Sequence, residues 1–491
     1  MKKGKENKHP GWRTTRNDRF HYLTGNLARG FNSTVFTSTI TIFLMMQGIN
    51  LAALAAITLL VKIVDSVDDV LFGFIIDRID PTKIKSLQKF LGSGKYLPWY
   101  KLTFWMFPLA TILFYLMPSS WSINGKIAWY AVTYLLFDLT YTLCEVPMNT
   151  MIMTITDNMD ERHHIQTLSA IWTVVGAIVV SAASNFLISE YVGMPIREMG
   201  IGFAIFFTIL MIPLAVKGKE YNVSLKNIDD GEEETYTFKQ MILCLKDNKY
   251  LFIYLISLFV MTVLIALNSA MGLFVGFYIF DNSQASTIAI LIAFIPSLIM
   301  MGLAPKLAKK VGGNQRMIVS MSLLYALVYV LMFFLAKGNI IVFIVLTILT
   351  TIPNSFLGVV RSFIIPDLIE YSRYKSRQDC SGIFYALLSF VNKMMNSIGS
   401  SIGLFILGFC GWVTVNATDF ADLAAQNVVQ PESAINMLWC ISTLLPAIGC
   451  VLGAVIMLFY KLKDKDTQLM AQCNAGDITR EECEAQLSRK Y

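Results

Sequence analysis

Apolar residues run through this chain in long blocks separated by short polar breaks, not in the strict alternation of a strand or the one-sided stripe of a soluble helix. Stretches such as Leu51–Leu60, Leu291–Leu303 and Ile340–Ile352 lie inside runs that reach the roughly 20 residues a helix needs to cross a bilayer core. The pattern predicts helices at roughly 22–47, 50–77, 101–118, 126–152, 165–191, 198–217, 250–280, 284–305, 316–336, 339–371, 382–412 and 435–461. The expected fold class is an all-α membrane protein of twelve transmembrane helices. They form two six-helix halves, 22–217 and 250–461, joined by a central loop 218–249 and flanked by tails 1–21 and 462–491.

Composition agrees with that pattern. Of 491 residues, 55% are hydrophobic, 12% aromatic and only 15% charged, which excludes an ordinary soluble globular domain. The N-terminus stays polar as far as Phe20, so no cleavable signal peptide is expected and the first helix directs insertion. Of the 40 Lys and Arg residues, 33 fall in the two tails, with Lys461 at the edge of the second, and in the loops 78–101, 162, 217–249, 306–316 and 373–377, whereas the opposite loops hold only Lys126, Arg197 and Lys337. By the positive-inside rule both termini are cytoplasmic, and the net charge of +6 expresses topology, not a nucleic-acid surface. The expected location is the cell membrane. Lipid surrounds the chain, and no nucleic acid or obligate protein partner is implied.

The eight cysteines stand singly and show no metal-ligand spacing, so they read as small apolar residues or free thiols. His163 and His164 are adjacent beside Glu161 and Arg162, and read as a solvated loop instead of a metal pair. No nucleophile, base and orienting group converge at recognisable spacing, so no enzyme activity is expected. The central loop carries Asp229, Asp230, Glu232, Glu233 and Glu234, then Lys239 and Lys246, and reads as a linker. Asp477–Ser488 reads as a surface helix in the tail.

Polar residues inside the apolar runs carry the information, because a charge at the bilayer centre costs about 2.5–3.5 kcal/mol on insertion scales. The second run contains Lys62, Asp65, Asp68 and Asp69, and the helical period places Lys62, Asp65 and Asp69 on one face. Carboxylates on adjacent turns repel one another unless a cation lies between them, so the cluster is a candidate cation or proton site; a salt-bridged patch is the structural alternative. In the fourth run Asp138, Tyr141, Thr142 and Glu145 line one face, and Pro147 frees a backbone carbonyl just beyond them. A polar seam between helices is the alternative there. Arg29 in the first run and Lys393 in the eleventh each require a counter-charge. Asp65, Asp69, Asp138 and Glu145 are the available acids, with Lys393 the candidate bridge between halves.

At these positions the sequence resembles the glycoside–pentoside–hexuronide:cation symporters, and within them the melibiose permease group. The resemblance is carried by Asp65-x-x-x-Asp69, by Gly94-Lys-Tyr-Leu-Pro98-Trp99, by Leu139-Thr-Tyr-Thr142 with Glu145-Val-Pro147, and by the acidic-aromatic loop Asp367-Leu-Ile-Glu-Tyr371-Ser-Arg-Tyr-Lys375 with Lys393 behind it. It implies the major facilitator superfamily fold, whose halves rock about a midplane site. It further implies that Asp65 and Asp69 are the cation-site carboxylates with Thr142 a cation ligand; the candidate sets are then Asp65, Asp68, Asp69 and Thr142 for the cation, Arg29, Tyr141, Glu145, Asp138 and Asn149 for the substrate, and Lys393 and Lys62 for coupling, with Asp138 an acid extra to the family's pattern. Asp68 stands where the permease has Asn. Gly30 replaces a first-span acid, and Ser169 replaces an Arg expected about eight residues after Glu161, so the pocket departs from a galactoside site. The implied function is symport of a glycoside, pentoside or related sugar with sodium or a proton, without an organic cofactor and without a metal beyond a sodium site. An uncoupled facilitator or exchanger of a non-sugar or anionic molecule, or a transporter-fold receptor, is the alternative.

Overall fold

A computed structural model describes residues 12–78, 81, 91, 94–156, 158–221, 248–268, 271–376 and 381–489; for 65–78, 309, 376, 381–383, 385, 386 and 389 only the backbone is described. Cys244, Cys380 and nearly all of the central loop lie outside these residues, and the six described cysteines are free thiols.

The described chain is helical. In order the helices are α1 (Arg16–Met45), α2 (Leu51–Arg78), α3 (Leu97–Thr103), α4 (Met106–Tyr115), α5 (Ile123–Thr150), α6 (Ile152–Ile155), α7 (Met159–Leu187), α8 (Ile196–Lys217), α9 (Lys249–Ala266), α10 (Gly272–Phe280), α11 (Ala285–Val311), α12 (Asn314–Leu335), α13 (Ile340–Ser376), α14 (Ser381–Phe409), α15 (Phe420–Ala425), α16 (Glu432–Ser442), α17 (Leu444–Met457), α18 (Asp464–Ala475) and α19 (Arg480–Gln486). Eight helical segments among the described residues are long and apolar enough to cross a membrane. α1, α2, the pair α3–α4 and α14 are not among these eight; counted with them, they are consistent with the twelve expected.

Polar caps set the helix starts, several of them ahead of the apolar runs. The Thr15 hydroxyl accepts from the Asp18 amide at 3.2 Å while the Asp18 carboxylate accepts from the Thr15 amide at 2.8 Å, a reciprocal box that begins α1 at Arg16 instead of near residue 22. Asn158 caps α7 by accepting from the Glu161 amide at 3.1 Å. Glu161, Arg162, His163 and His164 are therefore the first turns of a helix and not a loop. The acidic-aromatic segment Asp367–Lys375 is also helical, because α13 continues through it and α18 packs along its end. The tail contains α18, which hydropathy does not mark, as well as α19 at the expected position.

The chain separates into two compact units. The first holds Met1–Glu232 together with Val413–Val429, and the second holds Glu233–Trp412 and Gln430–Tyr491. In the first, α1 packs on α7 and α8, and α5 packs on α2 and α4. Gly200 lets α8 approach closely, since a methyl group there would overlap the Tyr115 ring. In the second, α13 packs on α11 and α12, and α17 on α9 and α12.

Residues 413–429 connect α14 to α16 yet form part of the first unit as a strap. The Gly48 amide donates to the Val415 carbonyl at 2.8 Å, Ala417 to Met46 at 3.0 Å, Ile196 to Thr418 at 3.0 Å and Phe420 to Ile188 at 3.1 Å. Phe420 and Leu423 are buried beneath it.

Candidate functional site

α1 and α5 build the polar centre of the first unit. Asn26 and Arg29 lie one turn apart on α1, as do Tyr141 and Glu145 on α5. Arg29 Nη1 donates to the Tyr141 hydroxyl at 2.6 Å and to Glu145 Oε1 at 2.9 Å, and the Tyr141 hydroxyl donates to the same carboxylate oxygen at 3.1 Å. Arg29 Nη2 donates to Asn26 Oδ1 at 3.1 Å, and Asn26 Nδ2 donates to Ser169 Oγ on α7 at 3.0 Å. The guanidinium also stands 5.1 Å from the centre of the Tyr141 ring, a cation–π distance. Phe137 stacks on that ring at 5.8 Å and Phe107 meets it edge-on at 5.7 Å.

Exposure divides the roles. The Arg29 side chain is 7% exposed and that of Glu145 37%, so the arginine is the buried anchor and the carboxylate the accessible edge. Gly30 leaves open space: no atom lies within 4 Å of a Cβ built there. Asp138 and Thr142 are buried on the same helix and Asn149 is exposed two turns beyond Thr142. The structure thus joins Arg29, Tyr141 and Glu145 directly. The counter-charge of Arg29 is Glu145, from its own half.

The cation-site expectation falls on α2. Lys62 is half-buried, the side chains of Asp65, Asp68 and Asp69 lie outside the described residues, and the backbone through all four is helical. α2 packs on α5, the helix that bears Tyr141 and Glu145. Among the described residues no group of three or more His, Cys, Asp or Glu could hold a metal ion. Lys393 lies on an exposed part of α14 in the second unit.

Sequence reading assigns no bonding role to several residues that the structure brings forward. Asn26 and Ser169 extend the Arg29 network, and the signal was a pair of small polar residues within apolar runs. Glu161, fully buried, accepts from the Arg13 amide at 3.1 Å, the Thr14 amide at 3.2 Å, the Thr156 hydroxyl at 2.6 Å and Arg19 Nη1 at 3.2 Å, and also from the Thr14 hydroxyl. Tyr221, past the end of α8, donates to Asp18 at 2.9 Å; burial and that carboxylate push its phenol up to about 12. In the second unit Asp367 accepts from Thr467 at 2.9 Å and from Asn314 at 3.3 Å. Arg361, inside α13, meets the Met261 sulfur at 3.2 Å.

Two helical units of this kind, each with charged side chains held inside bilayer-length helices, define a multi-pass membrane transporter. The family model described as MFS/sugar transport protein matches residues 21–464, and the chain belongs to that family, the glycoside–pentoside–hexuronide type of the major facilitator superfamily. It is 24% identical over 467 residues to the glucuronide carrier protein homolog of Escherichia coli (strain K12), covering 94% of each chain. It is 22% identical over 458 residues to the isoprimeverose transporter of Lactiplantibacillus pentosus, covering 92% of this chain and 90% of that one. The crystal structure of the nucleoside transporter NupG superposes with a TM-score of 0.64 at 12% identity, covering 91% of this chain and all of that one, which supports the fold.

Proposed function

We propose that the protein is a symporter that carries a glycoside, pentoside or related sugar together with sodium or a proton by alternating access. It resides in the cell membrane with both termini in the cytoplasm. The observation that carries this reading is the Arg29–Tyr141–Glu145 cluster. It neutralises the arginine, leaves a partly exposed carboxylate flanked by a phenol, and rests on aromatic rings. A carboxylate accepts the hydroxyl donors of a sugar, and aromatic faces cover its C–H surface. The names of the two relatives, a glucuronide carrier homolog and an isoprimeverose transporter, fall in the same substrate class.

Coupling is assigned to Asp65, Asp68 and Asp69 on α2, with Thr142 as a hydroxyl ligand and Lys62 and Lys393 as the charges that balance the site when the cation leaves. Asp138 and Asn149 complete the substrate set. A cation that relieves repulsion among three acids favours the conformation that also binds substrate, and linkage makes the effect reciprocal. Uptake into membrane vesicles, driven separately by a sodium gradient and by a pH gradient across a panel of glycosides and pentosides, tests the proposal. Accumulation driven by either gradient supports it. Equilibration without accumulation under both replaces symport with facilitated diffusion.

A further inference from the structure

Arg361 is the charged residue that the site described above leaves unused. It lies within a helix of bilayer-crossing length and apolarity. Its polar contact among the described residues is the Met261 thioether at 3.2 Å, and no carboxylate reaches it there. A thioether is a weak acceptor and carries no charge to balance a guanidinium. Intramembrane arginines without an acid partner are expensive, and those that persist face a cavity or a ligand.

The surroundings are polar in a directed way. Thr347, Thr350, Thr351, Asn354, Gly358, Arg361 and Ser362 occupy an arc of roughly 120° on α13 by the helical period. Asn354, Gly358 and Ser362 are exposed, and no atom lies within 4 Å of a Cβ built on Gly358. The Ser362 hydroxyl returns its proton to the Val359 carbonyl at 2.6 Å, which leaves its oxygen lone pairs outward. On the neighbouring helix Tyr325 and Tyr329 stack at 4.9 Å, and the Tyr329 hydroxyl donates to that of Tyr325 at 3.3 Å. Tyr254 and Tyr325 lie within electrostatic reach of the guanidinium. Tyr329 also lines a cavity of about 240 Å³ with Asn268, Ser286, Thr347, Thr350 and Ser442, none of them charged. Thr347 Oγ1 in that wall has no hydrogen-bond partner among the described residues. The second unit therefore holds a polar face on α13, approached by Tyr325 and Tyr329 of the neighbouring helix, and among the described residues no carboxylate pairs with the Arg361 guanidinium on that face.

We propose that Arg361 is an anion-binding subsite for a carboxylate or sulfate group on the hydroxylated substrate. The inference rests on the transporter reading and specifies its cargo. An acid cluster on α2 loads the cation, and Arg361 receives the negative charge that travels with it. Arg29 does not take this role, because Tyr141, Glu145 and Asn26 already engage both of its terminal nitrogens.

The test measures equilibrium binding by thermal shift on the full-length protein in nanodiscs, at fixed ionic strength in chloride, with no gradient imposed. The probes are inorganic sulfate, glucuronate, the uncharged glucuronamide, and nanodiscs with and without phosphatidylglycerol. Wild type should prefer glucuronate to glucuronamide by about tenfold or more, as a charge-assisted bidentate contact requires, with sulfate competing. Arg361→Lys should keep part of that preference. Arg361→Gln, and Arg361→Met as an apolar replacement that matches the Met261 surroundings, should abolish it while leaving glucuronamide binding within about twofold of wild type. An absent preference in wild type, an unchanged preference in the Gln and Met variants, or protection by phosphatidylglycerol alone would overturn the assignment. Because no gradient is involved, such a failure leaves gradient-driven symport standing, and failure of gradient-driven uptake leaves this binding result intact.

Discussion

Arg29 and Arg361 are both arginines within membrane-spanning helices, and their environments are opposite. Arg29 donates to a carboxylate, a phenol and an amide, and faces an aromatic ring. Arg361 meets a thioether among the described residues. A guanidinium whose charge is balanced by fixed groups organises a site, whereas one without a fixed counter-charge has affinity left for something that arrives. On the proposed reading Glu145 offers a substrate an acceptor, and Arg361 offers one a donor.

The largest expected effect comes from breaking the balanced pair. Arg29→Ala leaves Glu145 without its cation, and one-sided removal of a buried ion pair destabilises by about 3–5 kcal/mol. The partial exposure of Glu145 places this pair at the lower end. Uptake should fall to background, and the midpoint of thermal unfolding in detergent should drop. Glu145→Gln should be milder, because the amide still accepts from Arg29. The double variant Arg29→Met with Glu145→Met should recover stability but not uptake. Equal midpoints for Arg29→Ala and wild type would show that the pair is not an anchor.

Next in size is coupling. Asp69→Asn should remove the reciprocal tightening of cation and substrate, typically about 1–3 kcal/mol, and with it accumulation against a gradient, while downhill exchange persists through Glu145 and Tyr141. Substrate affinities measured with and without the cation check this. An Asp69→Asn protein that still accumulates substrate would move the cation site off α2.

How much of this was readable from sequence follows from what each residue interacts with. The helices were readable because bilayer spanning imposes an apolar run on each segment, which is a local property. Tyr141, Thr142 and Glu145 were readable on one face of a single helix. That Arg29 pairs with Glu145 in its own half was not, since four acids were available and helix packing made the choice. Helix starts were read late at α1 and α7 because Thr15 and Asn158 cap polar turns that hydropathy does not register. α18 was missed for the same reason, being polar on average and held by contacts such as Thr467 to Asp367. Arg361 was readable in principle, as an arginine inside an apolar run of bilayer length, and its separation from every described carboxylate required the structure.

A carboxylate at the start of α7 provides a comparison outside the two arginines. Glu161 gathers the residues before α1 into its own unit through bonds from Arg13, Thr14, Arg19 and Thr156. Glu161→Ala leaves several buried donors unsatisfied, each worth about 1–3 kcal/mol, and Glu161→Gln should restore part of the loss. Hydrogen exchange at the Thr14 amide should accelerate most in the Ala variant. Substrate affinity should be unchanged within about twofold if the residue only fastens the tail. A large change in affinity with unchanged exchange would instead place Glu161 in the transport pathway.

The smallest expected effect tests the same logic of charge balance at the solvent-facing strap. Asp422 accepts from the Thr418 amide at 2.9 Å and from Gln426 Nε2 at 3.2 Å, and the neighbouring Asp419 accepts from the Thr418 hydroxyl at 2.7 Å. The Thr418 amide bond, then the Gln426 bond, hold the Asp422 carboxyl below its ordinary value of 3.8. A carboxyl whose folded value is depressed contributes stability that is fully present above the ordinary value and is lost as pH falls through the lower, folded one. The strap should therefore be firm at neutral pH and loosen only below about pH 4. Asp422→Asn should lower the protection factor of the Thr418 amide at pH 6, and to a lesser degree that of Gly48, which bonds Val415 in the same strap. On acidification the wild-type protection should decline toward that of the variant, whose own protection stays level, so the two converge. A difference between wild type and Asp422→Asn that is as large at pH 3 as at pH 6 would show that the charge on Asp422 does not hold the strap, leaving buried Phe420 and Leu423 as what fastens it.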